Sequence, residues 1–404
     1  MMYLLVIWRS IFHKPLMSVL SVAITAASVA ITLLVVMLSS GLHHALIKAT
    51  EPFAIIVGSK GSPNQLVLNT VFLQDVPLGN MDYVEVEKLM SNSAVAEVVP
   101  LGFGDNYRGY RIVGSDERIF QHKLNPTEGN WLQIAEGRAF YGEHEAVIGS
   151  KVAKENGLKL GDTFQSSHGI THGKAANEHV ESFTIVGILE PLNGPYDSAV
   201  IVPLIDLWEM HHDHTSKETV VSDDNDKHGG VTAILVKPKG YAEALSLYTQ
   251  YKNNQNVQLI FPAQTIINLF AMLGEGEKVL QIISWSVFLL AMLVIALALY
   301  WSALQRVRER AVLRAIGAKQ RDILLLIFGE GISLVVTGLV LGISSAWCIF
   351  VLLAGYMENK TALSLSASFG ITELSILGCL LIIGVLFSVI PAVRMPKDDI
   401  AKEL

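Results

Sequence analysis

The chain has 404 residues, of which 51% are hydrophobic and 17% are charged, and its formal net charge is -7 at pH 7. A soluble domain usually carries about 25% charged residues, so this composition indicates a solvent other than water. The negative charge argues against a nucleic-acid partner, which favours a basic face. The two cysteines, Cys348 and Cys379, lie in apolar runs where buried thiols are expected, and they cannot form a disulfide framework or a thiolate metal site.

Four apolar stretches are long enough to cross a bilayer, whose core of about 30 Å needs roughly 20 helical residues. They are Pro15–Leu42, Val279–Leu304, Ile323–Met357 and Leu374–Val393. Among Asp, Glu, Lys, Arg and His, they contain only Glu330. A signal peptide is the alternative for the first stretch, but its apolar core would be only about 7–15 residues long. We therefore expect an uncleaved transmembrane helix.

Lysine and arginine counts set the expected orientation. The link between spans two and three carries six cations, whereas the link between spans three and four carries only Lys360; the six are Arg306, Arg308, Arg310, Arg314, Lys319 and Arg321. Cationic loops remain in the cytoplasm, so we expect this basic link and both termini there. The predicted fold class is an α-helical membrane protein with four transmembrane helices and a mixed α/β extracytoplasmic domain inserted between helices 1 and 2.

The same pattern predicts three regions. Residues 1–42 form an N-terminal cytoplasmic segment and the first transmembrane helix, and residues 43–278 form the extracytoplasmic domain. Residues 279–404 hold helices 2–4, with a cytoplasmic helix at 304–322. Such a chain belongs in a bacterial cytoplasmic (inner) membrane as a multi-pass protein.

The extracytoplasmic domain alternates β-rich runs with turn residues. Helices are predicted at Met81–Met90 and Lys151–Asn156, and Gly157 follows the second, where a helix often ends. Strands are predicted at Tyr110–Val113, Glu145–Ile148, Phe183–Leu189, Ala199–Val202 and Val231–Val236.

The end of this domain is predicted to be a helical stalk that continues into the second span. Within Pro262–Lys278 and just beyond it, the spacing is that of a coiled-coil seam, formed by Ile266, Phe270, Leu273, Glu277 and Leu280. A loop that matches this spacing by chance is the alternative.

Histidines are concentrated in one part of the domain: seven of the twelve lie between residues 168 and 228. Imidazole and carboxylate groups together suit Zn²⁺ or a similar divalent ion. The candidate zinc ligands are His211, His212, Asp213, His214 and His228. Flexible polar loops also collect these residues without a function, so an adventitious loop remains the alternative.

The segment from Leu304 to Ile323 predicts a short cytoplasmic helix with a charged start and an apolar middle. Gly317 suits the left-handed cap at its end, and Asp322 can cap the helix that follows. These features alone are equally consistent with a helix whose cations only hold the loop on the cytoplasmic side of the membrane.

The order of residues in this segment resembles the coupling helix of the MacB/FtsX/LolC-type (type VII, mechanotransmission) ABC transporter permeases, approximately R-x-x-E-x-A-x-L-R-A-x-G-A. The matching residues are Arg306, Glu309, Ala311, Leu313, Arg314, Ala315, Gly317 and Ala318. Arg310 departs from the apolar residue that is usual there. Motifs of the outer domain also resemble the periplasmic core domain of that family, among them Tyr110–Gly114, Glu136–Arg138, Ala146–Gly149 and Phe183–Ile188.

The resemblance implies a permease whose coupling helix docks on a separate ATPase, and this surface would include Arg306, Arg308, Glu309, Arg310, Ala311, Leu313, Arg314, Gly317 and Ala318. The chain has no G-x-x-x-x-G-K-[ST] loop, so ATP and Mg²⁺ are expected on the partner, and no catalysis or bound cofactor is expected here apart from zinc in the His-rich loop. A second copy or a related permease would complete a dimer.

The expected function is movement or extrusion of a lipoprotein, peptide, amphiphile or metal-linked substrate, with a periplasmic protein as a further partner. Two alternatives remain open. One is an FtsX-like regulator that activates an extracytoplasmic partner without transport, and the other is a membrane-anchored sensor with no ATPase.

Span three contains two further features. Glu330 is an intramembrane acid, which is a functional candidate by default; the alternative is an interfacial acid that pairs with a coupling-segment arginine such as Arg314. Gly338 and Gly342 form a G-x-x-x-G pair, which predicts a helix-packing face.

Overall fold

The computed structural model describes residues 15–124, 129–168, 178–212, 229–272 and 320–361, together with single positions between 278 and 297, at 365, and between 374 and 386. The chain divides into two compact units. A membrane unit takes in Met1–Leu42, Leu273–Tyr356 and Leu365–Leu404, and an outer unit takes in His43–Met272 and Met357–Ser364. Each unit is described separately.

The membrane unit contains most of two long helices, α1 (Pro15–Thr50) and α8 (Gln320–Thr361). Each has an apolar stretch long enough to cross a membrane, within Ser18–Thr50 and Phe328–Glu358. Cys348 and Cys379 are exposed, so the expectation of buried thiols is wrong. Apolar runs of this kind keep much of their surface facing outward, because a membrane helix needs an apolar exterior as well as an apolar interior.

The outer unit contains a ten-stranded mixed sheet. Nine strands follow the order β10-β1-β9-β2-β3-β8-β5-β7-β4, and β6 pairs with β2 and β7. The strands are β1 (Ile55–Ser59), β2 (Val95–Tyr107), β3 (Tyr110–Ser115), β4 (Ile134–Gly137), β5 (Glu145–Ile148), β6 (Thr163–His168), β7 (Glu178–Leu189), β8 (Ala199–Pro203), β9 (Ala233–Pro238) and β10 (Val257–Ile260). All neighbours are antiparallel except β3–β8 and β5–β7, which are parallel.

Both faces of the sheet are covered, which explains why the central strand β8 is apolar at every position. Along β8, Val200 and Val202 belong to one core cluster and Ala199 and Ile201 to the other. Successive side chains of a strand point to opposite faces, so a strand buried on both faces shows a continuous apolar run rather than alternation.

The described part of the outer unit also contains six shorter α-helices: α2 (Pro63–Thr70), α3 (Val84–Met90), α4 (Ser150–Asn156), α5 (Leu204–His212), α6 (Tyr241–Tyr251) and α7 (262–272). The first core cluster includes Leu89, Val152, Leu207 and Leu247 of α3, α4, α5 and α6. The second includes residues of α2 and Ile266 of α7, with Leu46 and Ile47 of α1 packed against it. The last turns of α1 are therefore part of the outer-unit core.

The predicted helices and strands of the outer unit agree with this fold. Helix α4 ends at Gly157, which adopts a left-handed φ of 65° and donates its backbone N–H to the carbonyl of Ala153. The described part of the predicted stalk, α7, is helical. Phe270 contacts the ring of His43 on α1, with the ring centroids 4.8 Å apart, and Ile266 is buried in the second core cluster. Leu273, Glu277 and Leu280 lie outside the described residues.

Candidate functional site

The coupling helix predicted at 304–322 lies almost wholly outside the described residues. The structure describes the chain from Gln320, where α8 begins, and Asp322 lies in its first turn. Every predicted docking residue, from Arg306 to Ala318, is outside the described part. Their role therefore stays a prediction.

The G-x-x-x-G pair is a helix-packing face, as predicted. A Cβ on Gly338 would lie 2.6 Å from the Cβ of Thr25, and one on Gly342 would lie 2.7 Å from the Cβ of Val29. The backbones of α1 and α8 can approach this closely only because these residues have no side chain. The later glycine faces the later residue of α1, so the two helices run parallel.

Glu330 lies on α8, eight residues before Gly338, and is half-buried. Gly329 beside it is half-buried and Gly331 is buried. The acid therefore lies one turn before Leu334, which belongs to the same buried cluster as Val29 of α1. The proposed partner Arg314 is outside the described residues.

The candidate zinc ligands are only partly described. His211 and His212 form the end of α5, and Asp213, His214 and His228 lie outside the described residues. Within the part of the chain that the structure describes, no group of three or more His, Cys, Asp or Glu side chains is placed to hold a metal ion. Whether the loop binds zinc stays a prediction.

The same helix carries a buried acid that the sequence did not single out. Asp206 is fully buried, and its Oδ2 accepts the backbone N–H of His144 at 2.7 Å. Its Oδ1 lies 4.0 Å from Nδ1 of His144, and neither atom has a hydrogen-bond partner among the described residues. Burial raises the pKa of Asp206 to about 6, and the hydrogen bond from His144 partly offsets this effect.

Several of the motifs that carry the family resemblance are structural. A Cβ on Gly149 would lie 2.3 Å from the carbonyl oxygen of Asp197, and one on Gly187 would lie 2.3 Å from that of Arg138. Arg138 forms an ion pair with Glu145 at 2.5 Å, and this pair, with the N–H donors of Tyr141 and Gly142, lowers the pKa of Glu145 to about 2. These motifs therefore hold strands and turns together rather than form a reactive site.

A second buried group missed by the sequence analysis is His122. Its Nδ1 lies 2.9 Å from Oε1 of Glu97 on β2, and its Nε2 lies 2.8 Å from the carbonyl oxygen of Pro52. A protonated imidazole can donate to both acceptors. The contact fixes the chain just beyond the end of α1. No local pattern marks this histidine, because its partners are 25 and 70 residues away in sequence.

Comparison with known proteins gives matches over most of the chain. Residues 16–254 match the family model described as MacB-like periplasmic core domain, and residues 281–398 match the FtsX-like permease C-terminal model. Among solved structures, the periplasmic region of MacB from Actinobacillus actinomycetemcomitans is 12% identical, with a TM-score of 0.35 over 55% of this chain and 95% of that chain. A comparison with curated proteins finds no match.

Two helices that are long and apolar enough to cross a membrane flank a mixed α/β domain, and this arrangement is consistent with a MacB-like architecture. The chain belongs to the MacB/FtsX/LolC-type family of ABC transporter permeases, because the first family model alone covers more than half of it. Members of this family are transmembrane components of the inner membrane, generally non-catalytic, that work with an ABC ATPase as transporter permeases or in an FtsX-like role.

Proposed function

We propose that this chain is the permease subunit of an ABC transporter, with four spans, both termini in the cytoplasm and the outer unit outside. The parallel packing of α1 and α8 supports this topology. Two parallel spans require the chain to cross back between them, and the apolar stretch Val279–Leu304 supplies that crossing. The fourth stretch, Leu374–Val393, then returns the C-terminus to the cytoplasm.

Transmission of movement is supported by the fact that α1 and α8 each contribute residues to both units. Helix α1 is unbroken from Pro15 to Thr50, and its last turns pack against the outer-unit core. The C-terminal end of α8 also belongs to the outer unit, where Lys151 donates to the carbonyl oxygen of Glu358 at 3.4 Å. A movement of the cytoplasmic ends of these helices would have a continuous helical path outward.

In this proposal, ATP-driven closure of two ATPase subunits moves the coupling segment 304–322, and the outer unit changes conformation in response. The segment docks through an apolar and cationic surface that includes Leu313 and Arg314. The permease acts as a homodimer or with a related permease. Its substrate is an amphiphile, a lipoprotein or a peptide; regulation of an outer partner without transport is the competing function.

The test is co-purification of the ATPase with tagged permease, followed by ATP-dependent release of substrate from proteoliposomes. We expect Leu313→Asp to abolish ATPase association, because it places a charge in the apolar docking face, and Gly317→Pro to do the same by disturbing the helix end. Lys402→Asp, which adds an acid to the cytoplasmic tail, is the matched control and should retain the ATPase. Association of all three variants at the wild-type level would remove the coupling role from this segment.

Proteoliposomes separate the two functions. ATP-dependent movement of an amphiphile supports transport. ATPase association with no movement of lipoprotein, peptide or amphiphile, together with ATP-dependent activation of an outer protein, would instead support the regulatory function.

A further inference from the structure

Three polar side chains of the outer unit are buried with unpartnered atoms near the end of α2. Among the described residues, Nε and Nη1 of Arg111, both amide atoms of Asn69 and the hydroxyl of Thr70 have no hydrogen-bond partner. The exposed fraction is 4% for Arg111, 1% for Asn69 and 0% for Thr70. Such groups are rare, because a buried polar group without a partner destabilises the fold, and a charged one does so most.

The three residues lie on the same side of the sheet. Arg111 on β3 shares a face with Val113, because alternate residues of a strand point to the same side. Val113 belongs to the second core cluster, and so do residues of α2, the helix that ends with Asn69 and Thr70. Arg111 also contacts the chain that leaves this helix, since its Nη2 donates to the backbone carbonyl of Asp75.

The charge of Arg111 is only partly balanced by its surroundings. The ion pairs of the described residues do not include this guanidinium. Burial lowers the pKa of Arg111, and the carboxylate of Asp75 opposes this effect. That carboxylate is directed elsewhere, because its Oδ1 accepts the backbone N–H of Val76 at 2.7 Å. The remaining N–H groups of Arg111 would therefore bind an anion that reached them.

The segment over Arg111 has a strained backbone. Leu73 and Asp75 adopt left-handed φ angles of 56° and 67°. Residues with a side chain rarely take this conformation, and they are concentrated at ligand-binding and switch segments. Asp75 and Val76 are exposed, whereas Arg111 is buried. Opening of residues 73–76 would relax this backbone and expose the guanidinium.

We propose that Arg111, Asn69 and Thr70 form a binding site for a small monocarboxylate that carries a hydroxyl group, and that the ligand enters when residues 73–76 open. One guanidinium balances one carboxylate, whereas a phosphate dianion would leave a buried negative charge. Arg111, Thr70 and the amide nitrogen of Asn69 donate to the carboxylate oxygens, and the amide oxygen accepts the hydroxyl of the ligand. The inference does not depend on transport, because all three residues belong to the outer unit.

The test measures binding of carbon-13-labelled glycolate to the full-length permease in nanodiscs. We expect the NMR signal of the probe to show saturable binding. Unlabelled acetate should displace it only at about tenfold higher concentration than unlabelled glycolate, because acetate lacks the hydroxyl group and one hydrogen bond is lost. Inorganic phosphate at the same ionic strength should not displace it.

Substitutions separate the contributions of the three side chains. Arg111→Met should weaken glycolate binding by about tenfold or more, because a hydrogen bond to a charged group is lost. Thr70→Val keeps the shape of the side chain and should also weaken binding. Asn69→Leu should remove the preference for glycolate over acetate. The matched control is Arg108→Met at an exposed arginine, which should bind as wild type does.

A variant of Asp75 gives the opposite sign. Asp75→Asn removes the negative charge that acts on Arg111, while its side-chain oxygen can still accept the N–H of Val76. It should therefore strengthen glycolate binding, an effect that a purely structural role of Arg111 would not produce.

Equal binding by wild type, Arg111→Met and Thr70→Val would overturn the proposal. So would displacement of glycolate by phosphate as readily as by acetate, which would mean that the site is not selective for a carboxylate. If Arg111→Met does not fold, Thr70→Val and Asp75→Asn decide the question, because the proposal requires weaker binding by the first and stronger binding by the second.

Discussion

Asp206 is a buried acid, and its Oδ1 has no hydrogen-bond partner among the residues that the structure describes. Its pKa is raised from 3.8 to about 6, mainly by burial. A raised pKa means that the folded state binds this proton more tightly than the unfolded chain does. The stability that this proton contributes is present below pH 4 and is lost as the pH rises through 6.

We predict that Asp206→Asn stabilises the protein above pH 6. The amide oxygen can still accept the N–H of His144, and no charge remains to be buried. The gain should be on the order of 1–2 kcal/mol at pH 8 and should vanish near pH 4. Thermal unfolding in nanodiscs between pH 4 and 8 measures it.

The control for this prediction is Glu117→Gln, a change of the same kind at an exposed residue of the outer unit. It should leave the pH dependence unchanged. If Asp206→Asn and wild type lose stability in parallel from pH 4 to pH 8, the buried carboxyl is not the source of the effect.

At the scale of elements, the contact between α1 and α8 depends on two glycines. We predict that Gly338→Leu and Gly342→Leu each separate the helices and destabilise the membrane unit by about 1–3 kcal/mol, because overpacking a tight contact costs that much. If the chain is a transporter permease, both substitutions should also reduce the ATP hydrolysis of the purified complex. Thermal unfolding and ATPase stimulation by the purified complex test this.

Gly355 provides a matched control on the same helix, since a Cβ there would meet no atom within 4 Å. Gly355→Leu should unfold at the wild-type temperature. Equal stability of all three variants would mean that the glycines do not determine how closely α1 and α8 pack.

The His-rich segment is a prediction at the same scale. If it binds zinc, the full-length protein should take up Zn²⁺ with a defined stoichiometry, and binding should weaken as the pH falls through about 6.5, where free histidine is protonated. Replacing His211, His212 and His214 together by alanine should abolish binding. Calorimetry on both proteins decides it, and weak, equal binding by both would mean that the loop has no metal site.

Local patterns predicted five of the ten described strands, β3, β5, β7, β8 and β9, because these contain short apolar runs bounded by turn residues. They could not give the strand order. The long strand β2 pairs with β9 through Val95–Leu101 and with β3 through Gly102–Tyr107, with an irregular register between Phe103 and Asn106. Such pairing depends on contacts between distant residues. The sequence analysis did not identify His122 and Asp206 for the same reason, because their contacts are with residues that are distant in sequence.

For the whole molecule, we predict that the outer unit and the coupling segment lie on opposite sides of the membrane. In a protein lacking Cys348 and Cys379, a cysteine at Asn253, which is exposed in the outer unit, should react with a membrane-impermeant thiol reagent on spheroplasts. A cysteine at Gln320 should react only after lysis. Labelling of Gln320→Cys in intact spheroplasts would reverse the orientation.

The contact between His43 and Phe270 brings together the two ends of the longer segment of the outer unit, His43–Met272, although the two residues are 227 positions apart in sequence. A segment attached in this way can be exchanged or enlarged during evolution without changing the order of the membrane helices. Recombination at these two points would join a different outer segment to the same membrane helices. Related chains could therefore keep the same membrane unit and differ in the ligands that their outer units bind.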